Sequence, residues 1–417
     1  MKLAIIGAGS TYVPLIVDEI RRSGGSSRDR ISLFDVHDEA VSSMVASPLW
    51  ARHPVTVTKA ASLPSAVDEA DVNILIFRAG PPGVRPSIER LATQSGLLAQ
   101  ETQGACGFFS ALLNISALVD IAHAIRKYSP NSLTVIVTNP TGIVTAAAQE
   151  LGLNAVGLCE LPFGMHQALD RWARKHDLAR ERSVPQYFGL NHFGWMLRAD
   201  TSSGTDLVSK YRREVGFSVH VPPSIPTSIA LEADVPTCPG LPNPYIGYLN
   251  GGDNGDQSRR DVAELASRSI GAIGEGNWDT YTATMRLRGG FLVGAALANL
   301  LSLVKGTDGT AIVCTRSPDA WQTYDSDAAF ERTVSYRSGS FVPHRIPQEL
   351  SAEAGAFLRL IARYEADTVV AALGGDTKAA LNALALNPFI APGAQSREAL
   401  RDFYVDYSPY LEGRLTL

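Results

Sequence analysis

The chain has 417 residues, 45% of them hydrophobic and 19% charged, with a formal net charge of −5. Such a composition excludes a disordered or fibrous protein, argues against a basic nucleic-acid footprint, and asks for two domains, or one with a large extension, around a sizeable core. Cys106, Cys159, Cys238 and Cys314 form no C-x-x-C pair, so neither a disulfide framework nor a structural zinc site is signalled and a reduced, cytoplasmic protein is expected.

The apolar run at residues 2–6 is cut by Gly7-Ala8-Gly9 before a signal peptide can develop. Val13, Ile16, Val17 and Ile20 then recur at helical spacing, which reads as strand, glycine turn, helix. Such a turn lets backbone N–H groups approach a pyrophosphate at the positive end of the helix, and Gly7, Gly9, Ser10 and Thr11 are its candidate cofactor contacts. Tyr12 stands where a third glycine would complete G-x-G-x-x-G. The context still fits a dinucleotide site: residues 31–34 read as a second strand ending in Asp35, whose carboxylate suits a ribose diol and favours NAD over NADP. The alternative is an Asp at a strand end in a protein that binds no nucleotide.

Residues 55–58 and 72–77 read as strands, the second opening into the Gly/Pro loop Arg78–Arg85. Arg78 and Arg85, at the carboxyl end of a strand, are candidate anion ligands, against the alternative of solvated surface arginines. Gln100-Glu101-Thr102-Gln103-Gly104 forms a second polar loop, followed by a helix at about 110–127. Another strand, 133–137, runs into Thr138-Asn139-Pro140, and a helix to about residue 151 follows. Residues 155–159 read as the next strand, with Pro162 and Gly164 ending it. They set a thiol, Cys159, beside a carboxylate, Glu160, a pair suited to metal-assisted acid/base chemistry. A lone reduced cysteine there also reads as a small buried hydrophobe.

This alternation predicts an α/β fold: a Rossmann-type doubly wound parallel sheet over residues 1–183, binding NAD, followed by a mixed α+β domain over 184–417 for substrate and metal. The second part carries Asn191-His192 among aromatic residues and glycines, and many prolines at 221–245, an expected irregular excursion. Helices are expected at about 257–269, 291–304, 349–371 and 374–385; the apolar stretch 291–304 is too short and interrupted for a membrane span.

Taken in register, these motifs resemble the NAD- and metal-dependent glycosidases of family 4. The resemblance rests on Gly-Ala-Gly-Ser-Thr-Tyr at 7–12, Phe77-Arg78 with Arg85, Gln100-Glu101-Thr102, Thr138-Asn139-Pro140, Gly157-Leu158-Cys159, Gly189-Leu190-Asn191-His192, Asn243-Pro244-Tyr245 and Arg288-Gly289-Gly290. It implies cleavage of an anionic glycoside by hydride removal from C3 to NAD, loss of the C2 proton, elimination at C1, water addition and hydride return, aided by a divalent metal, usually manganese. It further implies Cys159 and His192 as metal ligands and Tyr245 as the C2 base. Glu160, where relatives carry Asp, His or Asn, becomes a candidate acid. Arg78 and Asn139 fall to the cofactor, and Asn139, Asn191, Arg85, Arg288 and Arg259 (or its neighbour Arg260) to the substrate. A homodimer or homotetramer is expected, with no nucleic-acid or membrane partner.

Departures from the family pattern (Glu160, Phe291-Leu292, Ser317-Pro318-Asp319) keep a second anion in view, the sulfonate or carboxylate of a sulfoquinovosidase or uronidase, with a 6-phosphoglucoside as first choice. From another class, a malate/lactate-type NAD-dependent dehydrogenase shares the nucleotide turn but needs a His–Asp relay and leaves Cys159 without a role. A nucleotide-binding protein without catalysis is the third reading.

Overall fold

The structure is a computed structural model and describes residues 1–22, 29–52, 56–215, 241–242, 256–288, 290–345, 350, 352–390 and 393–411. Six short strands, β1 (Lys2–Ile6), β2 (Arg30–Phe34), β3 (Thr56–Lys59), β4 (Val72–Leu75), β5 (Leu133–Ile136) and β6 (Ala155–Gly157), pair in parallel in the order β3-β2-β1-β4-β5-β6. That is the doubly wound dinucleotide-binding order, and β1, β4 and β5 are apolar because helices cover both faces.

The second half does not build a sheet of its own. Strands β7 (Val184–Leu190), β8 (Phe193–Asp200), β9 (Leu241–Pro242), β10 (Ala311–Thr315), β11 (Phe330–Arg337) and β12 (Ser340–Pro343) extend the same 12-stranded sheet in the order β6-β10-β11-β7-β8-β9, with β12 beside β11. The changeover is narrow: β10 runs antiparallel to β6 through the single register pair Cys314↔Gly157. A Cβ on Gly157 would stand 2.3 Å from Thr145 Oγ1 and 2.9 Å from Cys314 Cβ, so the junction has room for glycine alone.

Two apolar layers sandwich the sheet. One face carries the helices Ala105–Tyr128, Thr141–Glu150 and Ala352–Gly374; the other carries Val13–Arg22 and Val293–Val304. Val13, Ile16, Val17 and Ile20 are all buried, as their spacing predicts. The helix Ala105–Tyr128 is long and apolar enough to cross a membrane, but most of it is buried in the core between other helices.

One boundary differs from expectation at a place that matters. Strand β6 stops at Gly157, and the helix Glu160–Lys175 begins directly after Cys159. Pro162 and Gly164 therefore lie inside the first turns of that helix instead of ending a strand; proline is tolerated there because first-turn N–H groups have no helical acceptor.

Candidate active site

The strand order gathers the polar loops at the carboxyl ends of β1, β4, β5 and β6. Gly7 sits at φ +90, and a Cβ on it would lie 2.6 Å from the backbone of Ile76, so only glycine lets the first turn cross β4. Gly7 and Ala8 donate to the Phe34 carbonyl at 2.9 and 3.0 Å. Gly9 and His37 donate backbone N–H groups to the two oxygens of Asp35 at 2.9 and 3.0 Å. Asp35 thus braces the glycine turn from the second strand, which fixes where its remaining lone pairs point. Ser10 accepts from Tyr12 N, and Thr11 accepts from Tyr281 through its carbonyl and from Arg288 through its hydroxyl.

Beyond β4 and β5 lies a recess lined by Arg78, Arg85, Glu101, Cys106, Ser110 and Asn139. Arg85 pairs with Glu89 at 2.9 Å and with Glu101 at 3.1 Å, and the charge of Glu101 drives its pKa further up. Burial works against the Glu101 carboxylate, but Arg85, helped by His192, Arg78 and Arg288, outweighs it and holds the group below the usual range. Partial desolvation, with Arg85 and Arg288 nearby, draws Arg78 below the ordinary arginine value. Asn139 is committed to the architecture: it accepts from Thr102 at 2.8 Å, donates to the Glu101 carbonyl at 2.6 Å, and its own carbonyl accepts from Asn114 at 2.9 Å.

Cys159, just after β6, reaches the β7–β8 turn although β10 and β11 lie between β6 and β7 in the sheet. The half-buried Cys159 thiol is hydrogen-bonded to Asn191, the residue before His192, and His192 is buried at φ +62 in the turn. Burial, then Glu331, pushes the Cys159 thiol well up, with Glu160 adding to the effect and the Leu161 N–H and Asn191 opposing it. Burial pulls His192 down to about 4, against the pull of Glu101, so its ring is neutral near pH 7 and able to ligate. Acidic groups thus surround a thiol and a neutral imidazole, an environment that suits a divalent cation. Among the described residues no group of three His, Cys, Asp or Glu side chains is placed to hold a metal, so a metal on these two ligands would need oxygen atoms beyond those side chains.

Glu160 is turned toward the neighbouring helix. Its Oε2 accepts from Leu292 N at 2.8 Å, with Gly290 and Val293 N–H groups also bonding the carboxylate, so it caps the helix Val293–Val304. Burial nevertheless raises its pKa, against those donors. The cap anchors the loop behind Arg288, whose guanidinium lies 4.9 Å over the Tyr12 ring. Gly290, at φ +77, has no space for a Cβ, which would fall 2.2 Å from that ring.

Tyr245 lies outside the described residues, as does the side chain of Arg259. Ser317 and Asp319, which interrupt the family pattern, hold the buried Arg332: Asp319 takes both its terminal nitrogens at 2.9 Å and Ser317 accepts at 2.8 Å. Sequence reading gave no role to Gln103, Glu331 or Glu365, all fully buried around Asn191. The usable signal was the run Gln100–Gln103; Glu331 gave none, because a charged residue in a strand ordinarily faces water.

Comparison with known proteins bears on this geometry. A family model described as Family 4 glycosyl hydrolase matches residues 2–174, and one described as Family 4 glycosyl hydrolase C-terminal domain matches residues 187–390. Phospho-alpha-glucosidase PagL of Clostridium acetobutylicum is 32% identical over 160 residues, 37% of this chain and 35% of that protein's length. The 6-phospho-beta-glucosidase BglT of Thermotoga maritima is 26% identical over 407 residues, covering 93% of this chain and 94% of that protein. The solved structure of the 6-phospho-beta glucosidase from Thermotoga maritima with manganese, NAD+ and glucose-6-phosphate superposes with a TM-score of 0.83 at 22% identity, covering 98% of this chain and 99% of that one. At that identity the likeness speaks for the fold.

Proposed function

Since the chain belongs to family 4 of the glycosyl hydrolases, we propose that it cleaves 6-phosphoglucosides with NAD and a divalent metal, manganese first, as its bound partners. The observation that carries this reading is the convergence of Arg78, Arg85 and Arg288 around Glu101, beside the Cys159–His192 pair. The guanidinium groups outnumber the carboxylates of Glu89 and Glu101 beside them, which leaves positive charge for an anionic group on the sugar. The names and bound molecules of the relatives support the same substrate class.

When bound, NAD supplies a reversible hydride acceptor and the metal a Lewis acid. On this reading residues 1–183 hold the cofactor at Gly7, Gly9, Ser10, Thr11 and Asp35, with Arg78 and Asn139 at its far end, and residues 184–417 complete the substrate side. Cys159 and His192 would hold the metal. Arg85, Arg288 and Arg259 orient the sugar through its anion, and Asn191 through a hydroxyl. Tyr245 takes the C2 proton. Since the Glu160 carboxylate is already a helix cap, its first contribution is to fix the Arg288 loop, and protonation of the leaving oxygen would draw on the same group.

The test is a panel of α- and β-glycosides carrying phosphate, sulfonate or carboxylate at C6, assayed with NAD+ and Mn2+ in deuterated water. Expected are cleavage without net NADH and deuterium at C2 of the released sugar. Stoichiometric NADH without cleavage would assign the chain to dehydrogenase chemistry, and cleavage without C2 exchange would assign it to conventional acid/base hydrolysis.

A further inference from the structure

Beneath the Asn191–His192 turn lie two carboxyl groups for which the proposed reaction has no use. Glu331, on β11, is 0% exposed, and Glu365, on the helix Ala352–Gly374, is 1% exposed. A continuous set of hydrogen bonds joins them. Gln103 Nε2 donates to Glu365 Oε1 at 2.9 Å and to the Asn191 carbonyl at 2.7 Å. Asn191 Nδ2 donates to Glu331 Oε1 at 3.1 Å, and Asn387 Nδ2 fixes the Gln103 carbonyl at 2.8 Å. The start of the helix Thr141–Glu150 closes the layer: a Cβ on Gly142 would come within 3.1 Å of Glu365 Oε2 and 3.5 Å of Asn191 Cβ.

The turn so enclosed is one that its own sequence does not favour. His192 holds φ +62 without being glycine, and such a conformation persists when the surroundings over-determine it. Here the surroundings grip Asn191 twice, by its backbone carbonyl from the Gln103–Glu365 side and by its side-chain amide from the Glu331 side. We infer that Glu331, directly, and Glu365, through Gln103, are positioning residues that clamp the Asn191–His192 turn and so set the aim of the Asn191 amide and the His192 ring. What the turn is held for rests on the proposed glycosidase reading; the clamp itself does not.

The ionisation of the layer agrees. Burial raises Glu331 to about 7, against hydrogen bonds from Asn191, Tyr187 and Cys314, and raises Glu365 to about 8, against Gln103 and with a contribution from Glu331. Among the described residues Glu331 Oε2 and Glu365 Oε2 are buried without a hydrogen-bond partner, so an ionised oxygen there would be left uncompensated. Glutamine is therefore the conservative replacement for either glutamate.

The experiment uses the full chain with Glu365→Ala, Glu365→Gln, Glu331→Gln and Gln103→Met. Backbone hydrogen exchange over residues 189–194 is read without metal or substrate, and Mn2+ and NAD affinities are then measured by titration. The clamp predicts that Glu365→Ala and Gln103→Met speed exchange in the turn about tenfold or more while β1, β4 and β5 stay protected. Mn2+ affinity should fall on the order of 10- to 100-fold with NAD affinity held, and kcat should suffer more than KM. Both glutamine variants should return turn exchange close to that of the unaltered protein. Unchanged exchange in the turn, or loosening spread evenly through the sheet with parallel loss of NAD affinity, overturns the inference. Should Glu365→Ala fail to fold, Gln103→Met, which removes both donors at similar length, decides alone. Absence of Mn2+ binding by the unaltered protein would sink the proposed function and leave the exchange rates to judge the clamp.

Discussion

The two halves of the sheet handle charged residues in opposite ways. In the parallel half, β4 and β5 are buried over their whole length and carry no charged side chain, and the arginines lie in the loop beyond β4. In the antiparallel half the polar groups are inside: Glu331, Arg332 and Thr333 follow one another in β11 and all are buried. Parallel strands covered by helices on both faces have no place for an unpaired charge, so function is pushed to their ends. The antiparallel half admits charges because each finds a partner, Arg332 in Asp319 and Glu331 in Asn191. Loop residues in the first half should therefore control ligands, while strand residues in the second should control geometry and stability.

The largest effect is expected where the halves meet. Cys159→Ser should lower glycoside cleavage by about 100-fold or more, with the thermal unfolding midpoint kept within a few degrees. Activity retained in a strong chelator would remove the metal from that junction. Next comes the buried arginine: Asp319→Ala leaves Arg332, 1% exposed, with only Ser317 and the His344 carbonyl, and, the lost carboxylate being half exposed, should cost about 1–2 kcal/mol of stability by denaturant titration while NAD affinity is unchanged. A matching loss of NAD affinity would break the division between halves. In the parallel half the converse holds, and Asp35→Ala should weaken NAD by about tenfold and relax discrimination against NADP with little change in overall stability.

Acidity sharpens the contrast further. Glu331 and Glu365 have folded-state pKa values above their unfolded ones, at about 7 and about 8, so the unfolded chain loses these protons first. Their contribution is complete below about pH 4.5 and is lost as pH rises through 7 and 8. Around them stand Gln103, Asn191, Tyr187, Cys314 and Cys159, with no cation acting on either carboxyl among the described residues. Stability measured between pH 6 and 9 should accordingly fall, and Glu365→Gln should flatten the decline. An identical slope in the variant would mean that Glu365 is already ionised in the fold.

The contrast also accounts for what could be read in the sequence. The glycine turn, Asp35, the strand-end arginines and the parallel doubly wound sheet follow from local patterns, because an apolar run broken by Gly or Asn marks where an element ends. Glu160 could be found but not oriented: its partner, the Leu292 N–H, lies 132 residues away. Glu331 and Glu365 could not be found at all. Periodicity assigns a charged residue to solvent, and only tertiary packing supplies the amides that let these two stay inside. The extension of one sheet through the whole second half was hidden for the same reason, since the strand that joins it, β10, arrives about 150 residues after β6.

That last feature bears on how the chain is made. As the polypeptide emerges from the ribosome, β6 and β7 are both complete long before the strands that will separate them, and each must wait with one row of backbone N–H and C=O groups unmatched. Residues 311–337 then enter between them as a keystone, β10 against β6 and β11 against β7. A fragment truncated before Ala311 would keep its nucleotide turn yet present two naked sheet margins, and its self-association on synthesis should far exceed that of the whole chain.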